Sequence, residues 1–129
     1  MGCDIHAYLE SKPKGNKKWQ RSEHIDLPRH YAAFAFLADV RNYESVPYPF
    51  EEKGLPDDLA EFTASEWDIW DCDAHSMSYL NLEELREVFK RYSEYYKKEI
   101  CDSYSSLIPK MEQLEADGND CRLVFWFDN

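Results

Sequence analysis

The chain has 129 residues, of which 43% are hydrophobic and 16% aromatic, so it holds enough apolar material for one domain with a real core. Its formal net charge is -11, from 26 acidic and 15 basic residues. That charge argues against non-specific binding to nucleic acid or to an anionic membrane, because both require a basic surface.

The N-terminal part of the chain predicts a β-hairpin. Residues 3 to 9 alternate between apolar and polar types, which is typical of a strand with one buried face. Ser11–Asn16, with its lysines, proline and glycine, predicts a turn. Lys18–Ile25 predicts the second strand, and its charges favour a position at the edge of a sheet.

The middle of the chain predicts two short helices separated by an irregular loop. Tyr31–Val40 is apolar and rich in alanine, which is typical of a buried helix. Arg41–Leu55 contains two prolines and a glycine, so it predicts a loop. Pro56 and the two aspartates after it predict a helix start, because proline fits the first turn and acids complement the helix dipole. The predicted short helix is Leu59–Trp67.

The last third of the chain predicts two further helices and a strand. Asn81, with Glu84 three residues later, indicates a capping box and a helix that reaches about residue 98. Ser105 or Ser106 predicts the start of the next helix, which Gly118 ends. Leu123–Phe127 is apolar on both faces, as in a central strand.

These elements predict a single α+β domain over residues 1–129, because no repeat or linker divides the chain. The predicted sheet is small and mainly antiparallel, its N- and C-terminal strands are adjacent, and three to four helices cover it.

The four cysteines predict reduced thiols in a cytoplasm. They lie at positions 3, 72, 101 and 121 and form no Cys-x-x-Cys pair, so a structural zinc site built from cysteines is not indicated. No signal peptide is recognisable, and no apolar run reaches the length that spans a membrane.

Five stretches stand out along the chain: Met1–His6, Leu37–Asn42, Gly54–Asp58, Asp73–Leu80 and Arg122–Asn129. In this order they resemble the signatures of a family of small uncharacterised proteins that occurs mostly in bacteriophages and prophages, with Met-Gly-Cys-Asp-Ile-His at the N-terminus. The resemblance implies a phage-type protein in the host cell cytoplasm. It implies no catalytic role, because the family has no established activity.

Two Asp-x-His pairs, Asp4/His6 and Asp73/His75, form the candidate site. In extended chain this spacing places both side chains of a pair on one face. Carboxylate and imidazole are ordinary ligands of zinc and manganese, so the two pairs predict a divalent metal site if they meet in space. The structural alternative is a set of hydrogen-bonded turns, with the serines near His75 stabilising the chain before a helix.

Two hypotheses of function follow from these residues. In the first, a pocket binds a small nucleotide-like phosphoester, as counter-defence against a host signal, with hydrolysis left open. Its predicted lining is Asp4, His6, Arg41, Asp73, His75, Ser76 and Asp128. Arg41 suits this role because guanidinium binds phosphate in bidentate fashion. In the second, the acidic surface inhibits a host nucleic-acid-handling defence enzyme, as anti-CRISPR or anti-restriction proteins do.

Overall fold

The computed structural model describes residues 2–129; Met1, the first residue of the N-terminal signature, lies outside the described residues. Four strands form one antiparallel sheet in the order β2-β1-β4-β3. The strands are β1 (Asp4–Pro13), β2 (Arg21–Ile25), β3 (Ala74–Leu80) and β4 (Asn119–Asp128). The predicted adjacency of the N- and C-terminal strands and the α+β class are confirmed.

Helices cover both faces of this sheet. They are α1 (Tyr31–Ala38), α2 (Glu61–Trp70), α3 (Leu82–Tyr96), the single turn α4 (Asp102–Ser105) and α5 (Leu107–Ala116). None of the helices within residues 2–129 combines the length and the apolar character that a membrane span requires.

The main core lies between one face of the sheet and the helices α1, α3 and α5. The alternation predicted for β1 is confirmed, because its apolar side chains pack here with Leu123, Phe125 and Phe127 of β4. Phe34 of α1 meets Phe127 edge to face, with ring centroids 5.0 Å apart. In α3 the apolar stripe is buried. The predicted capping box is present, because the Asn81 side chain accepts from the backbone N–H of Glu84 and the Glu84 carboxylate accepts from the backbone N–H of Asn81.

A second, smaller core lies on the other face, beneath α2. Tyr8, Val124 and Trp126 are buried there, and the half-buried side chains of Trp67 and Trp70 pack against them. The rings of Tyr8 and Trp126 stack with centroids 5.0 Å apart, and Trp67 meets Trp126 edge to face at 5.1 Å. The central strand β4 is thus buried on both faces, as its continuous apolar sequence predicts.

A buried ion pair fastens the chain before α2 to the sheet. Glu10 of β1 is fully buried and accepts a hydrogen bond of 2.8 Å from Nε of Arg122. Arg122 also donates to the side chain and the carbonyl of Asp58, at 3.0 and 3.1 Å. Its guanidinium stacks on Trp19 at 4.0 Å from the ring centroid. The second oxygen of Glu10 accepts from the backbone N–H of Ala60 at 2.9 Å.

The hydrogen bond from Ala60 to Glu10 accounts for the late start of α2, which was predicted as Leu59–Trp67. The helix begins at Glu61 and ends at Trp70, two or three residues further on at each end. Ala60 keeps an extended backbone, with φ -61° and ψ 149°, while its N–H bonds to Glu10. A contact with a residue far away in sequence therefore sets this boundary, and the local proline–aspartate signal does not.

β3 is the one strand that the sequence did not predict. It lies at the edge opposite β2, and a bulge between His75 and Ser78 interrupts its pairing with β4. Ser76 within the bulge has a positive φ of 57°. Because a bulge breaks the two-residue alternation, the pattern that identifies strands is lost in this segment.

We expect the start of α1 to make the fold sensitive to acid. His30 is the N-cap, where Nδ1 accepts from Ala33 N–H at 3.4 Å and Nε2 lies 3.3 Å from the Tyr92 hydroxyl. Burial lowers the pKa of His30, and Lys98 adds to the effect. The unfolded chain therefore binds the proton more readily, so this contribution to stability is complete above the ordinary histidine pKa and is lost as pH falls through the folded value.

The measurement is the free energy of unfolding between about pH 7.5 and about pH 5 for the wild type and for His30→Asn, which keeps an N-cap acceptor. The wild type should lose more stability over this range than the variant does. Parallel profiles for the two proteins would show that His30 is not the group responsible.

Candidate functional site

One end of the sheet gathers most of the candidate site residues. Asp4, Ala74 and Asp128 lie in one row there, since Asp128 is the register partner of both other residues. We call this region the sheet end. Four of the five stretches that carry the resemblance contribute side chains to it, through His6, Arg41, His75, Asp128 and Asn129.

His75 and Arg41 converge on one oxygen atom at the sheet end. Nε2 of His75 lies 3.1 Å from Oδ1 of Asn129, and an Nη of Arg41 donates to the same atom at 3.5 Å. Nδ1 of His75 lies 2.9 Å from the Ser76 hydroxyl. The hydroxyl can donate to Nδ1, which leaves the proton on Nε2 facing Asn129. We call the side of the sheet end that carries these residues the Arg41 face.

Aromatic side chains surround Arg41. Its guanidinium lies 5.2 Å from the ring centroid of Tyr31, a cation–π distance, and donates to the Tyr43 hydroxyl at 3.4 Å. That hydroxyl, the first of several causes, raises the pKa of Arg41. The ring of Tyr43 is 76% exposed. A cavity of about 100 Å³ lies beside these groups, with Glu44 and Tyr96 in its wall.

His6 and Asp128 form a second pair, on the opposite side of the sheet. Nε2 of His6 hydrogen-bonds to Oδ2 of Asp128, and both side chains are largely buried. The imidazole stacks on Trp70 of α2, with ring centroids 4.2 Å apart. A carboxylate that fixes one ring nitrogen of a histidine is the usual orienting partner of an acid–base histidine. We call this side the His6 face.

Asp4 is engaged by an arginine. Arg29 donates two hydrogen bonds to its carboxylate, at 2.9 and 3.0 Å. These bonds hold the pKa of Asp4 below its usual value. Asp73 is exposed in the turn after α2, where its backbone N–H bonds to the carbonyl of Trp70.

The structure does not bring the two histidines onto one face. His6 is the register partner of Trp126 and His75 that of Phe127. Because adjacent residues of a strand point to opposite faces, β4 separates the two rings. The rings accordingly contact different aromatic neighbours, Trp70 and Trp126 for His6 but Phe127 for His75.

The geometry therefore does not assemble the four predicted metal ligands, Asp4, His6, Asp73 and His75, as one set. Within residues 2–129 no three His, Cys, Asp or Glu side chains are grouped as metal ligands. Binding of zinc or manganese stays a prediction, which the titrations described below also test.

The cysteines beside the site are not activated as nucleophiles. All four are free thiols; Cys3 is buried and Cys72 exposed. Burial raises the pKa of Cys3, and a hydrogen bond to the Asp71 carboxylate raises that of Cys72. Since the thiolate is the reactive form, both cysteines are poor nucleophiles at neutral pH.

Sequence reasoning missed several residues of the site, namely Arg29, Tyr31, Tyr43, Trp70 and Asn129. No local pattern marks the first four, because they reach the sheet end from loops or helix ends. Asn129 could have been included, since it directly follows the candidate Asp128 on the strand predicted to be central.

A cavity of about 720 Å³ lies away from the sheet end, beside the edge strand β2. Apolar side chains of β1, α2 and α5 line it, together with a mixed set of charges that includes Glu23 and Lys110. None of the predicted site residues lies in its wall.

We compared the chain with protein-family models, with curated proteins and with solved structures, and none of them matches it.

Proposed function

We propose that the chain binds a small phosphoester of the nucleotide type at the Arg41 face of the sheet end. The observation that carries this proposal is the convergence of His75 and Arg41 on the Oδ1 atom of Asn129. Two donors directed at one oxygen can also share a phosphate oxygen if the Asn129 side chain turns aside. Arginine is suited to binding a phosphate group because its guanidinium is planar and permanently charged, and can contact two phosphate oxygens at once.

The aromatic ring beside Arg41 supports the nucleotide class over inorganic phosphate. Tyr43 is 76% exposed, so a nucleobase can stack on its free surface while the phosphate contacts Arg41. The neighbouring cavity of about 100 Å³ holds a phosphate-sized group and not a whole nucleotide. The base and the sugar would therefore lie on the surface, and binding should be shallow.

Overall charge works against this ligand. The net charge of -11 repels an anion at long range, and Glu44 lies in the wall of the small cavity. Affinity must therefore come from direct contacts with Arg41 and His75, and not from long-range attraction. Removing either side chain should consequently lower the affinity for the ligand by a large factor.

Binding, and not hydrolysis, is the core of the proposal. The oriented pair His6–Asp128 is the arrangement best suited to acid–base chemistry, but it lies on the His6 face. It therefore has no direct approach to a group held between Arg41 and His75. A phage-type protein that binds a host signalling nucleotide would act by lowering the free concentration of that nucleotide.

Isothermal titration calorimetry with AMP, a cyclic mononucleotide and a cyclic dinucleotide tests the proposal, with adenosine as the uncharged control. Arg41→Ala should weaken phosphoester binding by about 10- to 150-fold, because a hydrogen bond to a charged group contributes about 1.5 to 3 kcal/mol. His75→Ala should weaken it in the same direction. Arg21→Ala, an exposed arginine on β2, is the matched control and should bind like the wild type.

The same titrations are repeated with EDTA and with added zinc or manganese, and the products are analysed for hydrolysis. Binding that persists in EDTA agrees with the proposal. Equal affinities for the wild type and Arg41→Ala would contradict it. Binding that requires the metal would restore the metal-site hypothesis in its place.

A further inference from the structure

The outer side of α2 exposes two large apolar side chains, of which Phe62 also meets Tyr8 of the second core edge to face, with ring centroids 6.0 Å apart. Ile69 is 68% exposed and Phe62 is 45% exposed. They are seven residues, or about two turns, apart, so they lie along the same side of the helix. Thr63 and Trp67 occupy the other side, where Thr63 is fully buried and Trp67 packs on the sheet.

This exposure is unusual within the molecule. Among residues 2–129, four large hydrophobic side chains are exposed, and α2 carries two of them. The other two are Tyr43 and Tyr95, whose hydroxyl groups are compatible with water. The exposed part of the Phe62 ring and the exposed Ile69 side chain, on one short helix, form an apolar face of the kind that binding surfaces show.

Charge decides what can cover this face. No lysine or arginine occurs between Gly54 and Leu85. Asp68 directly precedes Ile69, and Asp71 and Asp73 follow the helix, all of them exposed. At the start of the helix Glu61 pairs with Lys18 at 3.1 Å, so the uncompensated negative charge lies towards the end of α2.

We propose that the outer face of α2 docks onto a basic protein surface, with Ile69 and Phe62 entering an apolar recess and the aspartates facing lysines and arginines of the partner. A basic surface of this kind is one that otherwise binds nucleic-acid phosphates. Acidic side chains around an apolar anchor provide steering and specificity, while the buried anchor supplies most of the affinity.

The negative charge around the outer face of α2 also argues against two other binding partners. A second copy of the chain would bring two acidic faces together, at a net charge of -11 on each molecule. An anionic membrane would repel the aspartates. This docking surface is independent of the proposed phosphoester site, because α2 covers the His6 side of the sheet while that site lies on the Arg41 face.

The size of the face sets the strength of the interaction. A helix of 10 residues is about 15 Å long, so alone it covers less than the roughly 800 Å² per partner of a standard interface. The complex should therefore be transient and should weaken as salt screens the charges.

Fluorescence anisotropy with a labelled synthetic helix that carries lysines on one side and leucine and tryptophan on the other tests this proposal. Ile69→Ser and Asp68→Lys should each weaken binding at least about fivefold, since Ile69 is the more exposed apolar anchor and Asp68 is the acidic residue next to it. Tyr95→Ser and Glu94→Lys place the same kinds of change on an exposed part of α3 and should leave binding unchanged.

Binding by the wild type that falls with added salt, together with loss in the α2 variants only, is the expected result. The proposal is overturned if the peptide does not bind, if Ile69→Ser binds as tightly as the wild type, or if the α3 controls weaken binding equally. Sedimentation of the free protein completes the test, because self-association that Ile69→Ser abolishes would assign the face to a second copy instead.

Discussion

Replacing Arg122 with methionine should lower the free energy of unfolding by about 3 to 5 kcal/mol, because the change leaves the carboxylate of Glu10 buried without its partner. Glu10 is fully buried and its charge is paired with Arg122, while Ala60 N–H satisfies the second oxygen. In a chain of this length the loss corresponds to a fall of roughly 10 to 20 °C in melting temperature. Thermal and urea unfolding measure it.

A second substitution separates the charge effect from simple loss of packing. The double variant Glu10→Gln with Arg122→Met removes both charges and keeps an acceptor for Ala60 N–H. It should be more stable than Arg122→Met alone, since the uncompensated buried charge is gone. If the double variant is the less stable of the two, the stability that Arg122→Met loses comes from the missing contacts with Trp19 and Asp58, and not from the buried charge of Glu10.

A chain that stops at Arg122 should not fold cooperatively. Residues 123 to 127 of β4 are fully buried, and they supply backbone partners to β1 on one side and β3 on the other. Loss of each large core side chain costs about 2 to 5 kcal/mol, while a whole domain is stable by only about 5 to 15 kcal/mol. Circular dichroism and calorimetry should therefore show no melting transition.

Removal of Asp128 and Asn129 alone is the control for that truncation. These two residues lie at the sheet end and outside the buried segment, so the shortened chain should still melt cooperatively. It keeps Arg41 and His75, the two donors of the proposed ligand site. A soluble chain ending at Arg122 with a sharp transition would show that the sheet tolerates the loss of its central strand.

The elements that the sequence predicted have strong local patterns. Burial of strand faces causes the two-residue alternation of β1 and the continuous apolar run of β4. Hydrogen bonding of the free N–H groups at a helix start causes the capping box at Asn81. β3 was missed because its bulge at Ser76 interrupts the alternation. The start of α2 was misplaced because a distant carboxylate, that of Glu10, binds the N–H of Ala60.

The candidate site could be located only in part for a related reason. Of the seven residues that the sequence proposed, six lie at the sheet end, and Asp73 is exposed in the turn after α2. The face that each histidine occupies depends on the register of its strand against β4. A shift of one residue exchanges the faces, and no local pattern sets that register for a bulged edge strand.

Ligand binding at the Arg41 face of the sheet end can be tested directly. The most direct test is a titration of ¹⁵N-labelled protein with AMP, followed by amide NMR spectra. We expect the shifts to concentrate at Arg41, Tyr43, His75 and Asn129, with Arg21–Ile25 unaffected. Shifts confined to β2 and α5 around the cavity of about 720 Å³, or no shifts at ligand concentrations in the millimolar range, would contradict the claim.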